Sequence, residues 1–214
     1  MCRFYFAIIR KIGVKYIMIK SFDKLVMVIC STGGPKALSQ IIPVLKSNLD
    51  APVVVVQHMP KGFTPSLASR LNYLSKIKVS EAHHRHTLKK GRVYIAQGGM
   101  HLQILQEKDG SLIFNEDDSE PVNGLKPYAN KTLLSLLPLQ IEHLYCVVLT
   151  GMGCDGYDGI HHLKQRKNIY TIAQSKETCI VYGMPKAIIN NDLADQILPL
   201  ELIGNEINNK VGVF

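Results

Sequence analysis

Three short stretches carry the residue types that nucleophilic chemistry requires: Ser31-Thr32-Gly33-Gly34-Pro35, Gln57-His58-Met59-Pro60 and Gly151-Met152-Gly153-Cys154-Asp155-Gly156. Each closes an apolar run, LVMVIC, PVVVVQ or CVVLT. One stretch supplies a serine, one a histidine and one an aspartate. A serine hydroxyl is almost wholly protonated at neutral pH and attacks a carbonyl poorly unless a base lies within hydrogen-bond reach. A carboxylate on the far ring nitrogen then fixes the tautomer of that base and stabilises the imidazolium it becomes. Brought to one edge, Ser31, His58 and Asp155 are suited to be nucleophile, base and orienting acid for acyl transfer.

The atoms around them have matching uses. Ser31 at a strand-to-helix turn places the Thr32 amide near a helix N-terminus, where unpaired N–H groups favour a developing oxyanion. The Met152 amide is the candidate second donor. Gly33 and Gly34 allow a substrate to approach the backbone closely, and Met59 joins them on the substrate side.

Other readings of the same residues stay open. Serine before a helix is the commonest cap, and a lone histidine at a strand end is ordinarily held by a neighbouring loop. STGGP resembles a phosphate loop without its Lys-Ser/Thr ending. Residues 151–156 match G-x-G-x-x-G, with Glu177 at a ribose-contact distance, but Asp155 would then face a pyrophosphate. His83, His84 and His86, with His161 and His162, have no cysteine at ligand spacing, so no metal or cofactor is expected.

Those loops need a scaffold, and the hydrophobic pattern describes one. From Lys24 onward, short apolar runs alternate with helical periodicity. Strands are expected at LVMVIC, PVVVVQ, KVSEA, RVYIAQ, CVVLT and IYTIAQ, and helices at KALSQIIPVLKSN (kinked or broken at Pro43), SLASRLNYLS (capped by Thr64), TLLSLL, GIHHLKQRK and MPKAIIN. HLQILQ and SLIFNE, joined through Glu-Lys-Asp-Gly, alternate like a β-hairpin. A short segment ends the chain. Strands apolar throughout, alternating with helices, describe an α/β fold: a mostly parallel, doubly wound, Rossmann-like sheet with helices on both faces and a β-hairpin insertion. Ligands of such sheets bind at the carboxyl ends of the strands, where all three loops lie.

At 214 residues the chain suits one large domain, 25–214, preceded by an N-terminal extension, 1–24. The net charge of +8 comes from dispersed Lys and Arg; an acidic protein substrate satisfies it, and no nucleic acid is expected. Five cysteines without a C-x-x-C pair describe reduced thiols in a cytoplasmic protein. Arg10, Lys11 and Lys15 interrupt the first apolar stretch, so neither a signal peptide nor membrane insertion is expected.

The segments ICSTGGPKAL, VVVVQHMPKGFTPSLASRLN, GRVYIAQGGMHL, EPVNGLKPYAN, VVLTGMGCDGYDGI and TIAQSKETCIVYGMPKAI, running in order from about Val26 to Ala194, resemble the chemotaxis methylesterases, the CheB-type catalytic domain. The resemblance implies a serine hydrolase that demethylates glutamate methyl esters on the cytoplasmic helices of chemoreceptors, releasing methanol. Ser31 would be the nucleophile, His58 the general base and then acid, and Asp155 the orienting carboxylate. Some members of the family also deamidate receptor glutamines. Ile29-Cys30 stands where the family usually has Gly-Ala, and Tyr128 and Asn130 stand where it has a serine and an acidic residue. Family members typically carry a receiver domain upstream. Here about two dozen residues precede Val26, so the expectation is a stand-alone catalytic domain, constitutive or controlled by a separate regulatory protein. The rival expectation is a non-catalytic binding or scaffold module of the same fold.

Overall fold

A computed structural model describes residues 22–214. The expected extension at 1–24 lies outside these residues except for its last three, which already belong to the first strand. That strand, β1 (Phe22–Cys30), is the centre of the sheet. Leu25, Met27 and Ile29 are buried on one face of it, Val26, Val28 and Cys30 on the other, as the two-residue period of a strand buried on both sides requires.

Seven strands pair in parallel in the order β3-β4-β2-β1-β7-β8-β9. Besides β1 these are β2 (Pro52–Gln57), β3 (Lys78–Glu81), β4 (Arg92–Ile95), β7 (Ile141–Val148), β8 (Ile169–Gln174) and β9 (Gln196–Leu198). An antiparallel hairpin, β5 (His101–Gln106) with β6 (Leu112–Asp117), is inserted between β4 and β7. The chain runs outward from β1 through β2 and β4, then returns to place β7 on the other side of β1. This is a topological switch point, and it opens a crevice at the carboxyl ends of β1 and its neighbours.

Helices α1 (Gly34–Ile41), α2 (Thr64–Leu74) and α6 (Leu200–Val211) bury Leu38, Leu71 and Ile203 against one face of the sheet. Helices α3 (Ala129–Ser135), α4 (Tyr157–Lys164) and α5 (Met184–Ile189), with the hairpin residues Ile104 and Phe114, cover the other. The doubly wound architecture and the hairpin agree with the hydrophobic pattern. Of the kink or break that Pro43 led one to expect, the structure shows a break: α1 ends at Ile41 and the chain continues as a 3-10 turn over Ile42–Val44.

Two local expectations are corrected. The short C-terminal segment is a strand and a three-turn helix. Leu200, Ile203, Ile207 and Val211 recur at helical spacing, while Gly204 and a run of asparagines lower the propensity that would advertise it. Gly204 is there because an added Cβ would lie 3.0 Å from the Val44 side chain and 3.1 Å from the Ile41 carbonyl oxygen. Thr64, expected as a cap, is instead the first helical residue after Phe63. Its hydroxyl donates to Glu81 at 2.6 Å and accepts from the Gly98 N–H at 3.0 Å, tying α2 to the β3 and β4 ends.

Charge is organised at the opposite, amino-terminal edge of the sheet. Asp50, just before β2, accepts from Lys24 and from Lys90, each at 2.8 Å, and Lys90 also reaches Asp23 at 2.8 Å. Lys24 and then Lys90 hold the Asp50 carboxyl below its usual range. A carboxyl depressed in the folded state stabilises fully above its unfolded value of about 3.9, and that stabilisation is lost as pH falls through the folded value. Asp50→Asn should therefore lower stability at pH 7 by on the order of 1 kcal/mol, and the difference from wild type should be smaller at an acid pH below the unfolded carboxyl value. Urea titrations at both pH values check this; an equal gap at both would contradict it.

Burial also sets thiol chemistry. Cys30 and Cys146 lie wholly inside the two cores, which pushes the Cys30 thiol well up and that of Cys146 up to about 12. Cys154 is exposed. Of these three only Cys154 presents an accessible sulfur. Iodoacetamide on native protein at pH 8 should label Cys154, and Cys30 and Cys146 only after denaturation. Peptide mass spectrometry reads the result, and native labelling of Cys30 at the rate of Cys154 would refute it.

Candidate active site

Register places the site. Cys30 of β1 pairs with Gln57 of β2, so the next residues, Ser31 and His58, leave the sheet side by side. The His58 N–H donates to the Cys30 carbonyl at 3.0 Å, and the Ser31 N–H donates to the carbonyl of Thr150, just beyond β7, at 3.1 Å. Three strand ends are thereby fastened to one another at the crevice.

His58 Nε2 lies 2.7 Å from Asp155 Oδ2, with both side chains almost fully buried. The carboxylate also accepts two main-chain N–H groups from the first turn of α3, Ala129 to Oδ2 at 2.6 Å and Asn130 to Oδ1 at 2.9 Å. With three donors on two oxygens, Asp155 can turn in no direction without losing one. A carboxylate so placed holds the His58 proton on Nε2 and leaves Nδ1 as the basic nitrogen. That Nδ1 is buried and has no hydrogen-bond partner among the described residues. Because Asp155 is committed to His58 and α3, the dinucleotide reading of 151–156 finds no support here.

Ser31 is half-buried and does not cap α1. The residue preceding that helix is Gly33, in the left-handed region at φ 86°, with no side-chain cap. Among the described residues the Ser31 hydroxyl makes no hydrogen bond, and none joins it to His58. The Thr32 and Met152 N–H groups likewise meet no acceptor within the described chain, and the Met152 side chain is 73% exposed. Met59 is half-buried against the core.

At the two glycines, the direction in which a Cβ would point is filled by the chain's own side chains. A Cβ on Gly34 would stand 1.9 Å from Gln57 Oε1, and one on Gly33 would stand 2.8 Å from the Ile180 side chain. Gln57 fills that space for a reason. Its Oε1 accepts from Cys30 Sγ at 3.0 Å, and its Nε2 donates to the Ser31 carbonyl at 3.1 Å and the His58 carbonyl at 2.9 Å. One buried amide thus spaces the serine loop from the histidine loop.

Two further residues were assigned no role by the sequence reading. Thr150 Oγ1 donates towards the Thr32 carbonyl at 2.9 Å and the Val181 carbonyl at 3.2 Å and accepts from the Val181 N–H at 2.9 Å. Asn130 Oδ1 accepts from the N–H groups of Gly156 (3.0 Å) and Gly159 (2.8 Å), while its Nδ2 donates to Tyr128 Oη at 2.9 Å. Asn130 therefore clamps the first turn of α4 to α3, with Asp155 between them. The sequence signal for Gln57 was its place as the sole polar residue of a strand buried along its whole length; Thr150 carried no comparable mark, and Asn130 stood out only as a departure from the family's usual acidic residue.

Fold and site together define a doubly wound α/β protein with a buried acid–histidine pair and an uncapped serine on one sheet edge, the layout of a serine hydrolase. Residues 26–207 match the CheB methylesterase family, and the chain belongs to that family. It is 44% identical over 191 residues to protein-glutamate methylesterase/protein-glutamine glutaminase 1 of Syntrophomonas wolfei, covering 88% of this chain and 54% of the relative. To the protein-glutamate methylesterase/protein-glutamine glutaminase of Bacillus subtilis it is 42% identical over 181 residues, covering 85% and 50%. The chain spans about half the length of the curated relatives it matches. The crystal structure of the Thermotoga maritima CheB methylesterase catalytic domain superposes with a TM-score of 0.84 at 42% identity, covering 88% of this chain and 99% of that one.

Two substitutions probe the supports. Gly34→Ala should cost about 1–3 kcal/mol of stability by driving a methyl into Gln57. Asn130→Ala should leave two buried N–H groups unpaired, costing about 1–3 kcal/mol, and should slow labelling of Ser31 by a fluorophosphonate by about tenfold or more through a loosened Asp155. Denaturant melts and labelling rates measure both; unchanged labelling in Asn130→Ala would show that the clamp does not position the acid.

Proposed function

We propose that the chain hydrolyses glutamate methyl esters on the cytoplasmic helices of chemoreceptors, through a glutamyl-serine intermediate. The observation that carries this reading is the His58–Asp155 contact at 2.7 Å with Nδ1 left unpartnered, on the edge where a serine hydroxyl is also free. Rotation of Ser31 about χ1 makes the nucleophile–base contact as substrate enters, a tightening common on passing from free to bound enzyme.

In the first half-reaction Ser31 Oγ bonds to the ester carbonyl carbon and its proton passes to His58 Nδ1. The carbonyl oxygen takes up negative charge opposite the Thr32 and Met152 amides. The tetrahedral adduct expels the methoxy group, which takes the proton from Nδ1 and departs as methanol. Water then repeats the sequence on the acyl-serine and releases the glutamate carboxylate and free Ser31. A glutamine side chain entering the same site loses ammonia instead of methanol, the deamidation that the relatives' names describe. Asp155 stabilises the imidazolium in both halves, and each oxyanion donor is worth about 3–4 kcal/mol in such sites. The net charge of +8 favours encounter with acidic receptor helices. Among the described residues no helix is long and apolar enough to cross a membrane.

Purified protein should release methanol from methyl-labelled receptor membranes. Ser31→Ala should abolish the release, and Asp155→Asn should reduce kcat by about 10⁴. Release that survives Ser31→Ala would sink the mechanism. Absence of release from folded wild-type protein would favour a binding module of this fold.

A further inference from the structure

The loop carrying His83, His84 and His86 is absorbed by none of the chemistry above. It runs from the end of β3 to β4 and is sewn onto the hairpin: the Arg85 N–H donates to the Phe114 carbonyl at 2.8 Å, the Leu88 N–H to the Leu112 carbonyl at 2.8 Å, and the Phe114 N–H returns to the His86 carbonyl at 3.0 Å. The His83 and His86 rings meet edge to face with centroids 5.3 Å apart, and His83 Nδ1 is held by Gln97 at 2.8 Å. The loop is a fixed wall.

Between this wall and the outer strands lies an open cup of about 510 Å³. Lys89, Arg92, His83, His86, Ser80 and Thr87 line it, and the buried Tyr94 forms its floor. Among the described residues no carboxylate lines the cup. The guanidinium of Arg85 is neutralised by Glu107 at 3.0 Å, but Lys89 and Arg92 have no ion-pair partner among the described residues. Two uncompensated permanent cations, two hydroxyls and two imidazoles converging on a concavity are the donor set of a phosphate site: a guanidinium fork and an ammonium for charge, with hydroxyl and ring N–H groups for the remaining oxygens. The cup lies on the β3–β4 side of the sheet, away from the crevice between β1 and β7.

We propose that this cup binds a small phosphorylated anion carrying two or more negative charges, with Lys89 and Arg92 as its charge anchors. The site stands independently of the esterase reading. The shared chemistry is the phosphate group, whether free in solution or on a lipid headgroup.

Pyrophosphate is the probe, followed through the histidine ring signals by NMR. His83 and His86 should shift along a saturable curve with Kd below about 1 mM, while His143, His161 and His162 stay in place. The exchange Lys89→Gln/Arg92→Gln should weaken binding at least tenfold. The control Lys46→Gln/Arg70→Gln, which removes the same charge from exposed positions elsewhere, should change it less than twofold. Co-sedimentation with phosphatidic acid vesicles, lost in the Lys89/Arg92 variant, would assign the phosphate to a lipid headgroup; pyrophosphate binding without sedimentation would assign it to a soluble ligand. Equal weakening by both double variants, or linear shifts shared by all the histidines, would overturn the proposal as general charge screening. Binding of a glutamate-rich peptide in place of pyrophosphate would overturn it in favour of a protein-docking surface.

Discussion

Parallel registry at the centre of the sheet governs everything built at its edge. Because β1 is hydrogen-bonded to β2 on one side and β7 on the other, the residues that follow these strands emerge at one level, and the side chains of Cys30 and Gln57, 27 positions apart, and of His58 and Asp155, 97 apart, meet without a long reach. A slip of one residue between β1 and β2 would point His58 to the other face of the sheet. Two apolar faces forbid that slip, since every residue of β2 is buried and has a matched environment. The hydrophobic core thus supplies the accuracy of the site as well as the stability of the fold.

Accuracy at the strand ends is then refined by buried polar groups, each fully engaged. Gln57, Thr150 and Asn130 are buried side chains that each hydrogen-bond main-chain groups of the loops carrying Ser31, His58 and Asp155. An amide or hydroxyl in such a place is costly unless satisfied, and when satisfied it permits one arrangement of its neighbours. The serine and the ring nitrogen Nδ1 are left without partners inside an otherwise satisfied network. Both are groups that the proposed reaction employs.

Much of this was legible in the residues themselves, and the exceptions are instructive. LVMVIC, PVVVVQ and CVVLT announce doubly buried strands through unbroken apolar runs, and function-bearing residues directly after them stand out by contrast. Roles carried by main-chain geometry are silent in sequence. Ala129 offers Asp155 an N–H that any residue except proline could offer, and Asn130 looks like a loop asparagine until α3 and α4 are seen to meet on it. Thr64 misled because a threonine before a proline has the form of a cap, whereas tertiary contacts with Glu81 and Gly98 took its hydroxyl. The last helix was obscured by its own glycine, required where it crosses α1 and the turn after it. Gly33 and Gly34 suggested openness to a ligand, but small residues equally mark places where the protein packs against itself.

The grip on Asp155 by the peptide N–H groups of 129 and 130 separates two kinds of sequence change. Substitutions at position 129 that fit the surrounding core leave the carboxylate's donor in place, because the donor is common to nearly all amino acids. A deletion or insertion between β6 and α3 displaces both donors at once, however well the new residues suit the surface. Over evolutionary time this segment can therefore drift in composition while its length stays fixed, and the length of a loop, more than its residues, becomes the heritable record of the acid's position.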